Sequence, residues 1–291
     1  MFKVQINYDY NNTPLSCGNM LESAFRRRKD IEVYRWGEIE TNKCDFVLNT
    51  EAQFARPHDG QMTAWWDIEA CSYRVMGEMS SDIVLAPYTY ALEDYPDHAY
   101  FFPFASSPEF KYYPCDYEYD LMFIGREDIN RNERVKLLDF LQSQPINFYR
   151  GNGFPRGEEV SRQLSKSKIL LQRSGDAGGV METRFFEIGP INVLAVDIHE
   201  GNRGDLEWAG VPDYHYIEYK NQYELLDKLR FYIKNDKARE LMLKRARKNY
   251  ELNHTYDVRV RQLLETIGFL KGKGLEKLYG KRKKWAEWAE D

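Results

Sequence analysis

The sequence KILLQRSGDAGGVMETRFFEIGP, residues 168–190, contains the three parts that decide the fold. Its apolar beginning, residues 168–172, predicts a buried strand, and the three glycines that follow predict a loop. Residues 182–188 then have a pattern that favours a helix. A strand that leads through a loop into a helix is the repeating unit of α/β proteins, so we expect a parallel sheet covered by helices.

The same alternation of strand and helix continues on both sides of this segment. The predicted strands of this region are residues 119–124, 146–149, 168–172, 192–196 and 214–217. The predicted helices are residues 131–144, 158–167, 182–188, 221–234, 236–250 and 255–270. We therefore expect residues 118–270 to form one open α/β domain.

The first part of the chain repeats this organisation. Its predicted strands are residues 2–8, 31–34, 44–49, 62–66, 82–86 and 99–102. A helix is predicted from Thr13 to about Arg28, with Pro14 in the first turn, where its missing N–H is harmless. Residues 103–117 contain three prolines and interrupt the rhythm, so we interpret them as a connection between two domains.

The predicted architecture is therefore α/β, with a first domain at residues 1–117, a second at 118–270 and a basic tail at 271–291. Two consecutive open α/β units imply a cleft between them. Ligands of such sheets bind beyond the carboxyl ends of the strands. The candidate site is therefore expected where those ends carry polar residues.

Composition and charge exclude several classes of protein. With 43% hydrophobic and 30% charged residues, the chain is neither disordered nor fibrous. Residues 1–118 carry 10 basic and 19 acidic residues, whereas residues 119–291 carry 31 and 27. An acidic half joined to a basic half predicts an anionic ligand held mainly by the second half.

Other sequence features argue against membrane insertion, disulfides and metal ions. No apolar run approaches the roughly 18 residues of a membrane span, and the chain begins with a strand, so we expect a soluble, cytoplasmic protein. Four scattered cysteines, and histidines without ligand spacing, predict neither a disulfide framework nor a metal site. The basic run 281–284 is a loose motif for nucleic acid, and a solvated helix end explains it as well.

The glycine loop before residue 182 suggests a phosphate site. Gly175, Gly178 and Gly179 would let backbone donors approach an anion, and the helix N-terminus would add its dipole. Glu187 lies about two helical turns further on, where it could accept hydrogen bonds from ribose hydroxyls. A plain loop-to-helix turn is the alternative, and neither a Walker loop nor G-x-G-x-x-G is present.

The segment Arg184–Gly189, RFFEIG, resembles the arginine–phenylalanine–glutamate helix of GT-B glycosyltransferases, in particular those of the CgeB-like branch (spore maturation protein, glycosyltransferase group 1). Further segments resemble the same family in the same order. They are residues 66–69, 81–84, 103–108, 119–125, 149–151, 164–169 and 254–259. The resemblance spans roughly residues 62–265.

The resemblance implies two Rossmann-like domains, with C-terminal helices packing back toward the first domain. It also implies a nucleotide-sugar donor, most simply a UDP-sugar, bound mainly by the second domain, and an acceptor that faces the first. No metal ion or other cofactor is obligatory in such a site, because a helix dipole and basic side chains stabilise the diphosphate.

The resemblance also assigns donor-binding residues. Glu187 matches the ribose-binding glutamate, and Gly178, Gly179 and Val180 match the phosphate loop. The remaining donor-binding candidates stand at strand ends or beside that loop, and they are Gly125, Arg126, Tyr149, Arg150, Gly151, Arg173, Asp176 and Arg184. The sequence departs from the family at position 179, a glycine where retaining relatives often have an acid, and at Gln172-Arg173, where an asparagine is common. Asp176 is therefore the acid expected to reach the sugar hydroxyls.

Three carboxylates of the first domain are candidate catalytic residues. Asp67 and Glu69 follow a predicted strand, and Asp9 follows the first strand. In an inverting reaction one of them would take the proton from the acceptor hydroxyl, whereas a retaining reaction needs no such base. A helix N-cap is an equally good explanation of Asp67.

These features predict a glycosyltransferase of the hexosyltransferase type that transfers a sugar to an acceptor hydroxyl. The acceptor remains open between a glycan or small molecule and a hydroxymethylated base in DNA, which would be flipped out of the duplex. Two alternatives share the fold: a non-catalytic nucleotide-sugar-binding module and a nucleotide-sugar epimerase. The oligomeric state is not predicted.

Overall fold

The structure is a computed structural model that describes residues 1–9, 16–50, 61–68, 81–88, 92, 98–125, 127, 132–151, 158–173, 183–197 and 203–272. Its contacts divide the chain into two compact units. The first unit comprises Met1–Phe104 and the chain from Tyr256 onward, and the second comprises Ala105–Thr255. Within the described part of the chain, no helix combines the length and apolar character needed to cross a bilayer.

The first unit is built on a parallel sheet whose strands were all predicted within two residues of their ends. The strands are β1 (Phe2–Asn7), β2 (Ile31–Arg35), β3 (Phe46–Asn49), β4 (Met62–Trp66), β5 (Ile83–Ala86) and β6 (Ala99–Phe101). Their order is β2-β1-β3-β4-β5-β6, and every pair is parallel. All their carboxyl ends therefore meet at one edge of the sheet.

The first helix of this unit, α1 (Cys17–Arg26), is amphipathic. Met20, Leu21, Ala24 and Phe25 recur at helical spacing and are all buried. The Ser16 hydroxyl accepts from the Asn19 backbone N–H at 3.3 Å and fixes the first turn. The helix therefore begins after Ser16, while Thr13 and Pro14, where its start was predicted, lie outside the described residues.

The second unit contains a five-stranded parallel sheet. Its strands are β7 (Tyr119–Ile124), β8 (Phe148–Gly151), β9 (Ser167–Gln172), β10 (Val193–Asp197) and β11 (Ile217–Tyr219). Their order is β11-β10-β9-β7-β8. The segment that opened the sequence analysis supplies the central strand, so the prediction of a parallel sheet around it is confirmed.

Six helices of the described residues accompany this sheet. They are α2 (Asn132–Gln142), α3 (Glu158–Ser165), α4 (Thr183–Ile188), α5 (Arg203–Ala209), α6 (Gln222–Lys234) and α7 (Asp236–Asn253). A buried core joins the sheet to α2, α6 and α7, with Leu138, Leu225 and Leu229 at its centre. Each such leucine contributes on the order of 2 kcal/mol to the free energy of unfolding.

For this unit, one helix was not predicted and one strand was predicted at the wrong position. Helix α5 was not predicted, because it is only seven residues long and contains a glycine, so no periodicity extends over it. The last strand was predicted at 214–217 but lies at Ile217–Tyr219. Asp213 adopts a positive φ of 54° in a turn that brings Pro212 beside Tyr216, and this turn delays the strand.

Helix α8 (Tyr256–Gly272) belongs to the first unit and packs against α1. The sequence predicts a second domain that begins at residue 118 and ends at residue 270. The compact units instead divide after Phe104 and again before Tyr256. Fully buried Arg259 explains the return of α8, since it donates to the carbonyls of Pro103 at 3.0 Å and Phe104 at 3.3 Å. The expected return of C-terminal structure to the first domain is confirmed for this helix.

Candidate active site

The carboxyl ends of the strands in the second unit bring several predicted donor-binding residues to one edge of the sheet. Gly125 follows β7 and donates its N–H to the carbonyl of Gly151 at 3.1 Å. Arg173 follows β9, which pairs with β7 on one side and with β10 on the other. These three predicted residues therefore lie at the carboxyl edge, where ligands of parallel sheets bind.

Both glycines are required by side chains that fold back over them. A Cβ atom at Gly125 would lie 2.6 Å from the Phe123 ring, and a Cβ atom at Gly151 would lie 2.9 Å from the Tyr149 ring. The Tyr149 ring itself packs 5.0 Å from the ring of Tyr119. Packing against these two rings is therefore enough to explain why positions 125 and 151 are glycines. Close approach of a ligand to the backbone would be an additional reason.

Arg134 is a cation at this edge that the sequence analysis missed. It lies in the first turn of α2, is 3% exposed, and donates to the carbonyl of Arg173 at 2.6 Å. Its guanidinium also lies 5.7 Å from the centroid of the Phe123 ring. Arginine is an unfavourable residue in the first turn of a helix, because its charge lies at the positive end of the helix dipole. This unusual position was the sequence signal from which an anion site near Arg134 could have been predicted.

Tyr219, at the end of β11, completes this group. Burial raises the pKa of the Tyr219 phenol well above its ordinary value, and the nearby charges of Arg173 and Arg134 oppose that shift. Because Asp197 of β10 pairs with Tyr219 and Val196 pairs with Gln172, Tyr219 and Arg173 stand at the same level of the carboxyl edge, two strands apart. The sequence pattern marked Tyr219 only as a residue near a strand, so its hydroxyl was not predicted as part of the site.

Helix α4 presents the predicted Arg184 and Glu187 on one face. Arg184 Nε lies 3.5 Å from Glu187 Oε2, and the two side chains are 18% and 14% exposed. Burial raises the pKa of Glu187, and the charge of Arg184 opposes this in part. The glutamate therefore holds its proton more tightly than a surface glutamate does.

The opposite face of α4 anchors it in the unit. Phe185 and Phe186 are buried, and both rings contact the ring of Tyr250 in α7. The Tyr250 hydroxyl donates to the Phe185 carbonyl at 3.3 Å. Phe185 and Phe186 thus attach α4 to the core, while Arg184 and Glu187 lie on the face of the helix that points away from it.

Arg150 is held by two carboxylates. Its Nε and Nη2 donate to Glu127 at 2.6–3.0 Å, and its Nη1 donates to Asp139 at 2.6 Å. Hydrogen bonding to Glu127, followed by that to Asp139, raises the pKa of Arg150, against the effect of burial. The ion pairs compensate its charge and orient the end of β8.

In the first unit, two of the predicted catalytic carboxylates lie at the carboxyl edge of the sheet. Asp67 is 2% exposed and follows β4, and its N–H donates to the Leu85 carbonyl at 3.0 Å, which extends the ladder between β4 and β5. Asp9 follows β1. Between them, Asn7 Nδ2 donates to Asn49 Oδ1 at 2.8 Å, and both amides are fully buried. This edge is therefore polar although it belongs to a buried sheet.

The remaining predicted site residues cannot be placed in this geometry. Glu69, Arg126, Asp176, Gly178, Gly179 and Val180 lie outside the described residues. Within the residues that the structure describes, no three His, Cys, Asp or Glu side chains are grouped so that they could hold a metal ion.

Comparison with known proteins gives this site its context. A family model described as glycosyl transferase-like matches residues 134–265, a range that begins at Arg134 and includes Arg173, Glu187 and Tyr219. A search of curated protein sequences found no match.

The solved structures that resemble this chain share its fold at low sequence identity. HepE of Anabaena, solved in complex with UDP and glucose, is 9% identical, with a TM-score of 0.63 over 92% of this chain and 100% of HepE. The DNA-modifying enzyme β-glucosyltransferase, solved with and without uridine diphosphoglucose, is 12% identical, with a TM-score of 0.54 over 93% and 99% of the two chains. TarM is 10% identical, with a TM-score of 0.53 over 76% of this chain and 54% of TarM. The chain thus has the GT-B fold of these structures, and its residues 134–265 match the glycosyl transferase-like family model.

Proposed function

We propose that this protein transfers a sugar from a UDP-sugar to a hydroxyl group of an acceptor, and that it belongs to the CgeB-like branch of glycosyltransferases. The observation that carries the proposal is that two polar pairs, Arg134 bonded to the Arg173 carbonyl and Arg184 paired with Glu187, lie within the residues that match the glycosyl transferase-like family model. The ordered family-like segments over residues 62–265 support the assignment to the branch.

In this proposal the second unit binds the donor. Glu187 accepts hydrogen bonds from the ribose hydroxyls, while Gly178, Gly179 and Val180 bind phosphate oxygens through their backbone N–H groups. Arg173 stabilises the negative charge that grows on the leaving diphosphate, and Arg126 adds a second cation. Gly125, Gly151 and Tyr149 line the strand ends, Asp176 contacts the sugar, and Arg184 and Arg150 orient their neighbours. The UDP bound to HepE, which has the same fold, supports uridine as the base.

The first unit supplies the base for the acceptor. We assign this role to Asp67, because it is a buried carboxylate at the carboxyl edge of a parallel sheet. It takes the proton from the acceptor hydroxyl while that oxygen attacks the anomeric carbon, and the nucleoside diphosphate departs. Glu69 and Asp9 are the next candidates, in that order.

No metal ion is needed in this mechanism. The N-terminus of a helix and arginine side chains perform the charge stabilisation that Mg²⁺ provides in other sites. We therefore expect donor binding to be unchanged by a chelator. The scattered cysteines suit a reducing compartment, so we place the reaction in the cytoplasm.

For the acceptor we favour a hydroxyl of a glycan or small molecule over DNA. Residues 1–118 carry 19 acidic and 10 basic residues, a balance that repels a phosphate backbone. If the acceptor were a hydroxymethylated base, the protein would bind duplex DNA with an affinity that falls steeply with salt. The absence of salt-sensitive binding to duplex DNA would support the glycan or small molecule.

The proposal is tested by a thermal-shift and calorimetry panel of nucleoside diphosphates and nucleotide sugars, with magnesium and with a chelator. A ligand at 100 to 1,000 times its Kd should raise the free energy of unfolding by about 3 to 4 kcal/mol. We expect this stabilisation with UDP or a UDP-sugar, equally in both buffers, and its loss in Glu187→Ala. Absence of any nucleotide effect would refute the proposal. Donor conversion without an acceptor would indicate an epimerase, and binding without turnover a non-catalytic module.

A further inference from the structure

The Tyr219 hydroxyl is a buried polar group that makes no hydrogen bond with the described residues. The residue is 1% exposed, and its hydroxyl oxygen has no hydrogen-bond partner among the described residues. Its ring belongs to the core between the sheet and α2, α6 and α7, so the position of the ring is fixed by packing. A buried hydroxyl without a partner costs free energy, and such groups in native proteins usually serve a ligand or an ordered water.

The surroundings of the hydroxyl favour an anionic ligand. Tyr219 is the last residue of β11, at the carboxyl edge where ligands of parallel sheets bind. The register through β10 puts Tyr219 at the same level of this edge as Arg173, and Arg134 donates a hydrogen bond to the carbonyl of Arg173. The charges of both arginines act on the phenol. A phenol O–H beside two guanidinium groups offers hydrogen-bond donors to a phosphate oxygen from three side chains.

We propose that the Tyr219 hydroxyl donates a hydrogen bond to the diphosphate of the bound nucleotide, at a position that it shares with the guanidinium groups of Arg134 and Arg173. This inference rests on the proposed function, because it takes a nucleoside diphosphate as the ligand. It adds two residues, Tyr219 and Arg134, to the donor site. It also explains why a tyrosine, and not a phenylalanine, ends the last strand of the sheet.

The high pKa of Tyr219 is consistent with this role. A buried phenol keeps its proton throughout the neutral range, so it remains a donor and never repels the phosphate. The uridine end of the ligand would be bound separately by Glu187. Phosphate recognition and ribose recognition are therefore separable by mutation.

The test compares UDP and uridine binding by calorimetry in the full chain, in Tyr219→Phe and in Glu187→Ala. We expect Tyr219→Phe to weaken UDP binding by about tenfold or more, since hydrogen bonds to charged groups have that strength. Uridine binding should change by less than about twofold, because uridine has no phosphate. Glu187→Ala should weaken both ligands.

Tyr216→Phe is the matched control. Tyr216 is 2% exposed and lies three residues earlier, but its hydroxyl donates to the Leu206 carbonyl at 3.4 Å. Removal of the Tyr216 hydroxyl should lower the melting temperature, because a buried hydrogen bond is lost, and should leave UDP binding unchanged. Tyr219→Phe should melt at or above the wild-type temperature without ligand, because it removes an unsatisfied buried group.

Each outcome decides between the hypotheses. If wild-type protein binds UDP and Glu187→Ala does not, but Tyr219→Phe binds it normally, the role of Tyr219 is refuted and the proposed function stands. Equal losses of UDP and uridine in Tyr219→Phe would show a merely structural effect and would also refute it. If the wild-type protein binds no UDP, both the proposed function and this inference are refuted.

Discussion

A Cβ atom at Gly189 would lie 2.0 Å from the hydroxyl oxygen of Tyr250, so the residue after α4 packs directly on the phenol of α7. The same hydroxyl bonds to the Phe185 carbonyl within α4. Tyr250 therefore fixes both the body and the end of the short helix that carries Glu187. A helix of six residues has little stability of its own, so this contact determines where the glutamate lies.

This contact predicts that Gly189→Ala destabilises the protein. The added methyl group overpacks a buried tyrosine, and we expect a loss of about 1 to 3 kcal/mol in the free energy of unfolding, with weaker UDP binding. Urea denaturation measures the first and calorimetry the second. Gly268→Ala is the control, because its Cβ would meet nothing within 4 Å and it lies in helix α8. That variant should be as stable as wild type or slightly more stable. A fully stable Gly189→Ala would contradict the packing argument.

The raised pKa of Glu187 predicts a pH dependence of ribose binding. A protonated carboxyl is a poorer acceptor, so uridine affinity should fall as the pH is lowered, starting above the ordinary glutamate pKa of 4.5. Uridine is the suitable ligand because it has no phosphate that titrates in this range. Calorimetry at a series of pH values measures the effect, and Glu187→Gln should abolish it.

The same shift predicts how Glu187 affects stability. Its folded-state pKa lies above the unfolded value, so its contribution to stability is complete below the unfolded pKa and is lost as the pH rises through the folded pKa. In the ligand-free protein, the difference in stability between Glu187→Gln and wild type should therefore grow from acidic to neutral pH. A constant difference would show that the carboxyl is solvated in the folded chain.

Arg259 is predicted to be the most sensitive arginine of the first unit. It is fully buried, and burial lowers its pKa to about 9, so it remains charged at neutral pH while it bonds the carbonyls of Pro103 and Phe104. Lysine cannot reproduce this two-carbonyl geometry, so Arg259→Lys should cost about 2 to 4 kcal/mol. Arg27→Lys, which alters an exposed pair with Asp257, should have little effect. Similar melting temperatures for the two variants would be evidence against this role of Arg259.

Asp67→Asn tests the assignment of the base. Loss of a general base typically lowers turnover by about 100-fold to 10,000-fold, while UDP binding should be unchanged because Asp67 belongs to the other unit. Asp82→Asn is the matched control in the same sheet. Asp82 precedes β5 and its carboxylate accepts from the N–H of Thr63 at 2.7 Å, so its change should affect stability and not turnover. Normal turnover by Asp67→Asn would transfer the assignment to Glu69 or Asp9.

Arg150 provides a comparison with Arg173. Its guanidinium is bonded to Glu127 and Asp139, so Arg150→Gln leaves two carboxylates unpaired and should cost about 1 to 3 kcal/mol of stability. Arg150→Gln should weaken UDP binding less than Arg173→Gln does, because the charge of Arg150 is already compensated by the two carboxylates. A larger effect on UDP affinity would mean that Arg150 exchanges its carboxylates for the donor phosphates.

Much of the fold could be predicted because it depends on local patterns. Short apolar runs that end in glycine or polar residues predicted the strands, and the helix 183–188 was expected from residues 182–188. Helix α5 was missed since seven residues give no usable periodicity. The strand at 217–219 was misplaced because the positive φ of Asp213 is a property of its turn and not of its composition.

In the candidate site, too, contacts within one helix follow from the sequence, whereas contacts between distant elements do not. Arg184 and Glu187 are three residues apart on a helix, a spacing that brings two side chains together, and the structure pairs them at 3.5 Å. No spacing relates Arg134 to Arg173 or to Tyr219, because these residues come from different strands and helices that only the sheet order brings together.

The sequence alone thus determined the α/β class, the order of most elements and the position of α4, since hydrophobic period and turn chemistry act over a few residues. The tertiary structure alone decided that Arg259 holds α8 through the carbonyls of Pro103 and Phe104, that Arg150 is bonded to Glu127 and Asp139, and that the Tyr219 hydroxyl is buried without a hydrogen-bond partner among the described residues. Those features depend on contacts between residues far apart in the chain. The burial and the charge environment of these residues depend on the packing of the whole unit, so they cannot be predicted from a local sequence pattern.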